Sequence, residues 1–206
     1  MSEKRKTTEV RQQEIIEAVR KLIVTSGMEH LTMQAIAKEV GLTEGAIYRH
    51  FTSKQEILFL LIEEIEETLL ETLSKAQTEG APALENLESI LKAHFSYAER
   101  RRGVSFMVIA EIQALQDKAL RKRVSQFLAK YRDVITDELN RGVESGEVPK
   151  DIDLDAAATI FFGLIQSNVT LWSLGDHPFP RQERQKHLWD LYIRGIAARE
   201  VPRPEP

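Results

Sequence analysis

Residues 31–58 read LTMQAIAKEVGLTEGAIYRHFTSKQEIL, and the fold can be worked out from this stretch. Apolar residues recur at helical spacing in two short segments, which Gly41 separates. Thr32 and Thr43 stand where the N-caps of the two helices belong. The residues expected to face inward are Ile36, Ala37, Val40 and Ile47. Two short helices joined by a glycine-containing turn predict a helix-turn-helix.

Further helices are predicted on both sides of this unit. Residues 8–26 form an amphipathic helix, and Gly27 suits its C-terminal stop. Ser53 and Glu56 have the spacing of a capping box, in which each side chain accepts the backbone N–H of the other residue. This box opens a long helix that ends near residue 77, before Gly80 and Pro82.

The rest of the chain also has helical periodicity, and no segment alternates as a strand does. The predicted helices cover residues 82–101, 104–115, 117–144, 154–174 and 181–199. We therefore predict an all-α protein with a three-helix domain at residues 1–54, a second helical domain at 55–200 and a disordered tail at 201–206.

Composition limits the classes of function. The 206 residues include no cysteine, which excludes disulfides, thiolate metal sites and cysteine nucleophiles. The N-terminus has no signal peptide, and no apolar run reaches the length of a membrane span, so we expect a soluble cytoplasmic protein. Net charge is −4, but residues 1–54 carry nine basic and seven acidic residues. A DNA-facing surface is therefore expected at the N-terminal end.

The predicted helix-turn-helix suits docking on DNA. The outward residues of its second helix, expected at a major groove, are Glu44, Gly45, Ala46, Tyr48 and Arg49. Helix N-termini at Thr32, Thr43 and Ser53 offer free N–H groups and positive dipole ends, which suit phosphate oxygens. Lys54 adds a cation, and His50 adds an imidazole donor.

The run from Leu31 to Leu58 closely resembles the N-terminal domain of TetR-family regulators, especially in the Gly41 turn, the Ile47-Tyr48-x-His50-Phe51 block and Ser53-Lys54. The resemblance is specific for residues 8–75 and covers the remainder only in helix count and order. It implies phosphate contacts from Thr32, Thr43, Tyr48, His50 and Lys54. It implies that the residues nearest the bases are Gln34, Glu44, Gly45, Ala46 and Arg49.

Simpler structural explanations stand beside these assignments. Glu44 is also a favourable acid at a helix N-terminus, and capping alone explains the threonines and Ser53. Phe51 is expected in the core rather than on DNA. The run Lys4-Arg5-Lys6 is either an arm that reaches DNA or a solvated tail.

The resemblance also implies that the second domain binds a small-molecule effector and dimerises. Candidates to line the effector pocket are His94, Tyr97, Phe106, Glu111, Phe127, Tyr131, Phe162, Gln166 and Trp172. Most are equally explained as core, but the polar ones need partners if buried. His94 and Glu111 lack a third ligand at suitable spacing, so no metal is expected.

Two helices are apolar around most of their circumference, which predicts burial on more than one side. A four-helix interface between two subunits would bury them, and packing within one chain is the alternative. The residues assigned to the interface are Phe161, Ile165, Val169, Leu188, Tyr192 and Ile196.

Together these features predict a homodimeric repressor that binds palindromic double-stranded operator DNA and is released by an effector of unknown identity. One alternative is a DNA-bound adaptor that presents a surface to a protein partner and needs no effector. A helical enzyme is the other, although the sequence contains no legible nucleophile–base pair or phosphate loop. We expect no catalytic residue, no cofactor and no membrane contact.

Overall fold

The computed structural model describes residues 8–175 and 178–197, and within these ranges it contains helices and no strand. Around the quoted stretch lie α1 (Thr8–Ser26), α2 (Met33–Glu39), α3 (Glu44–Ile47) and α4 (Lys54–Ala76), with a 3₁₀ turn at Met28–His30. The later helices are α5 (Ala83–Arg100), α6 (Val104–Ala114), α7 (Lys118–Ser145), α8 (Leu154–Ser173) and α9 (Gln182–Ile196). The all-α prediction is confirmed.

The chain divides into two compact units. The first contains α1 to α3, α4 as far as Glu67, and Arg101–Ser125; the second contains Thr68–Arg100 and the described residues from Gln126 onward. The division at residues 54 and 55 stays a prediction. The predicted tail at 201–206 and the run Lys4-Arg5-Lys6 lie outside the described residues.

The core of the first unit is built on the helix-turn-helix. Ile36 of α2, Ile47 of α3 and Phe51 after it are almost wholly buried. The α1 residues Ile15, Val19 and Ile23 are buried as well, because the 3.6-residue period puts them on one face. In this unit α1 packs against both α2 and α6, so the two short helices of the helix-turn-helix are supported by the long helix α1.

In the second unit α8 packs against α5 and α9. The fully buried residues along one stripe of α8 are Phe161, Ile165 and Val169. The hydroxyl of Tyr192 on α9 donates to the carbonyl of Ala157 on α8 at 3.1 Å, which fixes the register of the two helices. This unit therefore has its own apolar core.

The expectation that no apolar run could span a membrane needs a correction. By length and composition, α8 passes that test, despite the interruptions at Gln166 and Asn168. Because one stripe of α8 is buried against α5 and α9, it also has the character of a core helix, and its apolarity is weak evidence for a membrane.

Candidate nucleic-acid interface

A tight turn joins α2 to α3. Gly41 has a φ of 69°, in the left-handed region that glycine adopts without strain. The N–H of Leu42 donates to the carbonyl of Ala37 at 2.9 Å, which closes the turn beneath it. The turn fixes α3 against α2 in the arrangement that the sequence predicted.

Side chains cap the helix N-termini of this region. The Thr32 hydroxyl accepts the N–H of Ala35 at 3.1 Å, and the Thr43 hydroxyl accepts the N–H of Ala46 at 3.2 Å. Both predicted caps are confirmed as caps. Each hydroxyl satisfies one of the N–H groups that a helix start leaves free, and the others remain available to acceptors such as phosphate.

The start of α4 departs from the capping box. Ser53 accepts the N–H of Glu56 at 3.3 Å, as predicted. The Glu56 carboxylate, however, accepts the N–H of Thr52 at 2.6 Å and the Thr52 hydroxyl at 2.9 Å, one residue before the expected partner. The loop between α3 and α4 is thus tied down one residue earlier than the sequence motif implies.

Most side chains assigned to the DNA surface are exposed on this unit. The exposed members are Thr32, Gln34, Thr43, Glu44, Gly45, Tyr48 and Arg49. Tyr48 has an exposed fraction of 49 %. An aromatic side chain that is this exposed is a candidate to contact another molecule. The second helix of the helix-turn-helix is short: α3 ends at Ile47, and Tyr48 and Arg49, which were expected on this helix, follow it with His50 as a turn.

Three of the assigned residues are not simply outward. Ala46 was expected to face outward, but only 7 % of it is exposed because it lies on the inner side of α3 beside Ile47. His50 is half-buried, and its Nδ1 atom is buried without a hydrogen-bond partner among the described residues. Lys54 is half-buried, and its Nζ atom lies 3.5 Å from Oε1 of Glu111 on α6.

Ion pairs tie the first part of α4 to other helices of the first unit. Oε1 of Glu64 accepts from Arg20 on α1 and, at 2.9 Å, from Arg101 just before α6. Glu66 pairs with Arg123 near the start of α7. The first part of α4 is therefore tied to α1, α6 and α7 through charged groups that are only slightly exposed.

The candidate effector residues fall in two groups. Phe106 and Glu111 belong to the first unit, and the other seven belong to the second. Glu111 was predicted to line the pocket; in the structure it pairs with Lys54, and its place in a pocket stays a prediction. Phe106 has an exposed fraction of 8 %.

The second unit contains two buried polar pairs, both involving α5. Nδ1 of His94 lies 3.0 Å from the Tyr131 hydroxyl, and the Tyr97 hydroxyl lies 3.0 Å from that of Thr68. Burial lowers the pKa of His94 from 6.5 to about 3, so the ring is neutral at physiological pH. Burial, followed by the charge of Tyr192, raises the pKa of Tyr131. The pair is thus an uncharged hydrogen bond in an apolar interior.

The other candidates of this unit lie around that interior. The ring of Phe162 packs edge-on against Tyr131 at 5.4 Å, and Phe127 is buried. Gln166 donates to Thr170 on its own helix at 3.2 Å. Trp172 packs edge-on against Phe179 at 4.9 Å. The structure brings His94, Tyr131 and Phe162 into direct contact.

The residues assigned to the dimer interface need a correction. Five of the six are buried within the chain, and Leu188 is half-buried. They pack into the core of the second unit and leave little surface for another subunit. The exposed face of α8 is a different one, with Ala156, Ile160, Gly163, Ser167, Leu171 and Leu174. Ile160 is 56 % exposed, and a Cβ on Gly163 would meet nothing within 4 Å.

Sequence reasoning missed a groove between the end of α8 and the start of α9. It has a volume of about 540 Å³, and its apolar lining is Leu171, Pro178, Phe179 and Pro180. Its polar lining is Asn168, Arg181, Glu183, Arg184 and His187. The only signal in the sequence was a phenylalanine between two prolines, followed by two arginines. Within residues 8–175 and 178–197, no group of three His, Asp or Glu side chains could hold a metal ion.

Two family profiles match consecutive parts of the chain. The profile of the bacterial regulatory proteins of the TetR family matches residues 15–61, from α1 into α4. The profile described as the C-terminal region of YsiA-like proteins matches residues 60–195. The chain belongs to the TetR family. It is a transcriptional regulator with a helix-turn-helix DNA-binding domain, and the resemblance first stated for residues 31–58 is confirmed.

Individual TetR-family relatives extend over most of the chain. The fatty acid metabolism regulator of Bacillus subtilis is 27 % identical over 183 residues, which cover 89 % of this chain and 94 % of that protein. The crystal structure of FadR from Bacillus subtilis in complex with stearoyl-CoA has a TM-score of 0.78 and 27 % identity, covering 89 % of this chain and 98 % of that one. The regulator PfmR from Thermus thermophilus has a TM-score of 0.73 at 27 % identity, covering 87 % and 97 %.

Relatives with another role also match: the nucleoid occlusion factor SlmA of Aliivibrio fischeri is 25 % identical over 186 residues, which cover 88 % of this chain and 93 % of that protein. The nucleoid occlusion factor SlmA of Haemophilus influenzae is 33 % identical over 125 residues, or 61 % of this TetR-family chain and 57 % of that protein. The family and these neighbours are regulators of transcription or DNA-bound factors rather than enzymes.

Proposed function

We propose that this TetR-family protein is a dimeric repressor that binds a palindromic operator and leaves it when an acyl thioester of coenzyme A binds the second unit. The observation that carries the proposal is the surface of α2 and α3, where capped helix starts and exposed polar side chains stand on a rigid support. The proposed DNA contacts are Thr32, Gln34, Thr43, Glu44, Gly45, Tyr48, Arg49, His50 and Lys54.

The arrangement suits division of labour between phosphate and base contacts. Thr32, Thr43 and Tyr48 supply hydroxyls, and the free N–H groups of the helix starts add further donors for phosphate. Gly45 has nothing within 4 Å of the place where a Cβ would stand, so its backbone is open to a base edge. Ala46 drops out of the direct readers because it is buried.

The dimer is supported by the exposed face of α8. That face combines exposed Ile160 and Leu174 with small residues, and Leu191 of α9 is 67 % exposed. A glycine in a helix interior costs about 1 kcal/mol relative to alanine, and no contact within the chain requires Gly163. Close packing of a second copy of the chain on α8 at Gly163 explains both the exposed apolar residues and the glycine in the helix interior.

The effector class is supported by the FadR relative, whose structure holds stearoyl-CoA. The second unit of the present chain has an apolar interior with a few uncharged polar groups, which is the usual character of a small-molecule site. The proposed lining is His94, Tyr97, Phe127, Tyr131, Phe162, Gln166 and Trp172. The neutral His94–Tyr131 pair suits a thioester carbonyl better than a carboxylate, because it carries no positive charge.

A second candidate function is a DNA-bound adaptor that needs no effector. The similarity to SlmA favours it, and for the Aliivibrio fischeri protein this similarity extends over 88 % of the chain at 25 % identity. An adaptor keeps its DNA affinity when acyl thioesters are added, whereas the proposed repressor loses it.

Mapping of the genomic DNA bound by the protein tests the DNA-binding part. We expect a small set of palindromic sites whose half-sites lie about ten base pairs apart, because two helix-turn-helix units enter successive major grooves. Protection without a palindrome, or a flat binding isotherm at moderate salt, contradicts the proposal. Transcription from a mapped site with and without the protein separates repression from activation.

A further inference from the structure

The groove between α8 and α9 is lined by two arginines that have no carboxylate partner among residues 8–175 and 178–197. Arg181 and Arg184 are exposed, and neither forms an ion pair within the part of the chain that the structure describes. Glu183 lines the same groove, so with a neutral His187 the groove has a net charge of +1. This contrasts with the net charge of −4 for the whole chain. The groove is a cationic site on an otherwise acidic protein.

The start of α9 adds donors to this site. Arg181 is the N-cap of α9, and its side chain accepts no hydrogen bond from the helix N–H groups, because a guanidinium has no acceptor. The first N–H groups of a 15-residue helix are thus left for an external acceptor, and the helix dipole favours an anion there. The groove combines these donors with two guanidinium groups, which is chemistry suited to phosphate.

The other side of the groove is apolar. Phe179 lies against it, and the same ring packs edge-on against Phe95 at 6.1 Å and Trp172 at 4.9 Å. Phe95 is wholly buried on α5, next in sequence to His94. Phe179 therefore contacts both the groove and the buried ring of Phe95.

A cationic edge beside an apolar interior fits a molecule with a phosphorylated head and an aliphatic tail. We propose that the groove binds the phosphate groups of an acyl-coenzyme A, with Arg181 and Arg184 as phosphate ligands and Phe179 beside the path of the acyl chain. The inference rests on the proposed effector class and assigns its head to residues of this chain. A second copy of the chain fits the groove less well, because a two-fold contact would bring arginines towards arginines.

The test is calorimetric titration of the full-length protein with stearoyl-CoA, coenzyme A and stearate. We compare wild type with the double variant Arg181→Glu/Arg184→Glu and with the control Lys186→Glu/Arg194→Glu, which makes the same charge change at exposed α9 positions outside the groove lining. We expect the double variant to bind stearoyl-CoA at least tenfold more weakly than either other protein. Any binding of stearate is expected to be equal in all three.

Each contrary outcome has a distinct meaning. Equal stearoyl-CoA affinity in all three proteins overturns the groove assignment and leaves the proposed effector class intact. Equal weakening by the control variant reduces the effect to net charge and also overturns the assignment. Wild type that binds no acyl-coenzyme A overturns both proposals. Sedimentation velocity reports subunit association, and dissociation of only the groove variant assigns the groove to a subunit interface instead.

Discussion

Tyr48 is the most direct single-residue probe of the DNA surface. Its side chain is half exposed just after α3, where its hydroxyl can donate to a phosphate. We expect Tyr48→Phe to weaken operator binding by about three- to tenfold, the usual contribution of one hydrogen bond. The loss should be similar for specific and non-specific DNA, because phosphate contacts carry no sequence information. Fluorescence anisotropy measures the affinity for specific and for non-specific DNA. Gln13→Ala, at an exposed position of α1, is the control.

Lys54 takes part in two competing interactions. It pairs with Glu111 at 3.5 Å in the protein alone, and it is proposed to contact phosphate in the complex. Glu111→Gln frees the ammonium group, so we expect about two- to fivefold tighter DNA binding at low salt, since partly exposed pairs contribute ~0.2–1 kcal/mol. Glu63→Gln removes the same charge from an exposed site of α4 and is the matched control. Equal affinities for the two variants would show that only net charge matters.

His94 links stability to pH. Its pKa is about 3 in the folded protein and 6.5 for a histidine in an unfolded chain, so the unfolded chain binds an extra proton between these values. Above pH 6.5 the ring is neutral in both states, so His94 does not lower the free energy of unfolding. As the pH falls from 6.5 towards 3, the free energy of unfolding decreases, because the unfolded chain takes up the proton that the folded protein does not. Between pH 6 and 4, the free energy of unfolding of wild type should fall about 1.4 kcal/mol per pH unit more steeply than that of His94→Gln. Urea unfolding measures both slopes; parallel curves would contradict the neutral, buried ring.

At the scale of elements, α8 separates what periodicity can and cannot predict. Its sequence is apolar almost all round, so the pattern predicted burial on two sides without saying which stripe meets which neighbour. The packing against α5 and α9 takes Phe161, Ile165 and Val169 into the core. The face of α8 that stays exposed is the one with Ile160 and Gly163, which the sequence prediction did not assign to an interface.

Substitution of Gly163 distinguishes an exposed face of α8 from one that is covered by a second subunit, because the two cases predict opposite effects on stability. A Cβ there would meet nothing within 4 Å among the described residues, so on an open face Gly163→Ala stabilises the protein by about 0.5–1 kcal/mol through helix propensity alone. If α8 packs closely on its counterpart, the added methyl weakens the dimer. We expect a raised dimer dissociation constant in sedimentation equilibrium and a stronger effect from Ile160→Glu.

A matched control is Ala129→Glu, which adds the same charge at an exposed position of α7. A dimer unaffected by both α8 substitutions would contradict the interface.

The start of α4 illustrates a smaller error of the same kind. The spacing of Ser53 and Glu56 correctly predicted the Ser53 cap, because that bond is local. The Glu56 carboxylate bonds instead to the N–H and hydroxyl of Thr52, a partner that the motif does not include. A local pattern thus predicts where a helix begins better than it predicts which nearby donor a long side chain selects.

For the whole molecule, the all-α class and the helix-turn-helix could be predicted because both depend on short-range signals, namely caps, the Gly41 turn and the 3.6-residue period. Long-range pairings could not. The buried carboxylate of Glu138 accepts from Gln77 and Asn86, residues more than 50 positions away, and nothing local to α7 announces this. The groove at Arg181 and Arg184 escaped for the same reason, since its lining comes from two helices and the loop between them.

The same distinction applies to function. The predicted DNA-docking unit lies within some two dozen consecutive residues, whereas the proposed effector contacts are spread over α5, α7 and α8. In the proposed mechanism the two are coupled as alternative states of one molecule: the effector favours a state in which the two helix-turn-helix units of the dimer no longer match the operator.

The most direct test of the account is the affinity of the dimer for its mapped operator with and without stearoyl-CoA, measured by fluorescence anisotropy at fixed salt. We predict that saturating stearoyl-CoA weakens operator binding by about 5- to 150-fold, the range of typical allosteric coupling energies. Stearate and coenzyme A should have little effect separately. An operator affinity that stays constant as the protein becomes saturated with stearoyl-CoA, or a protein that neither binds it nor responds to it, would contradict the account.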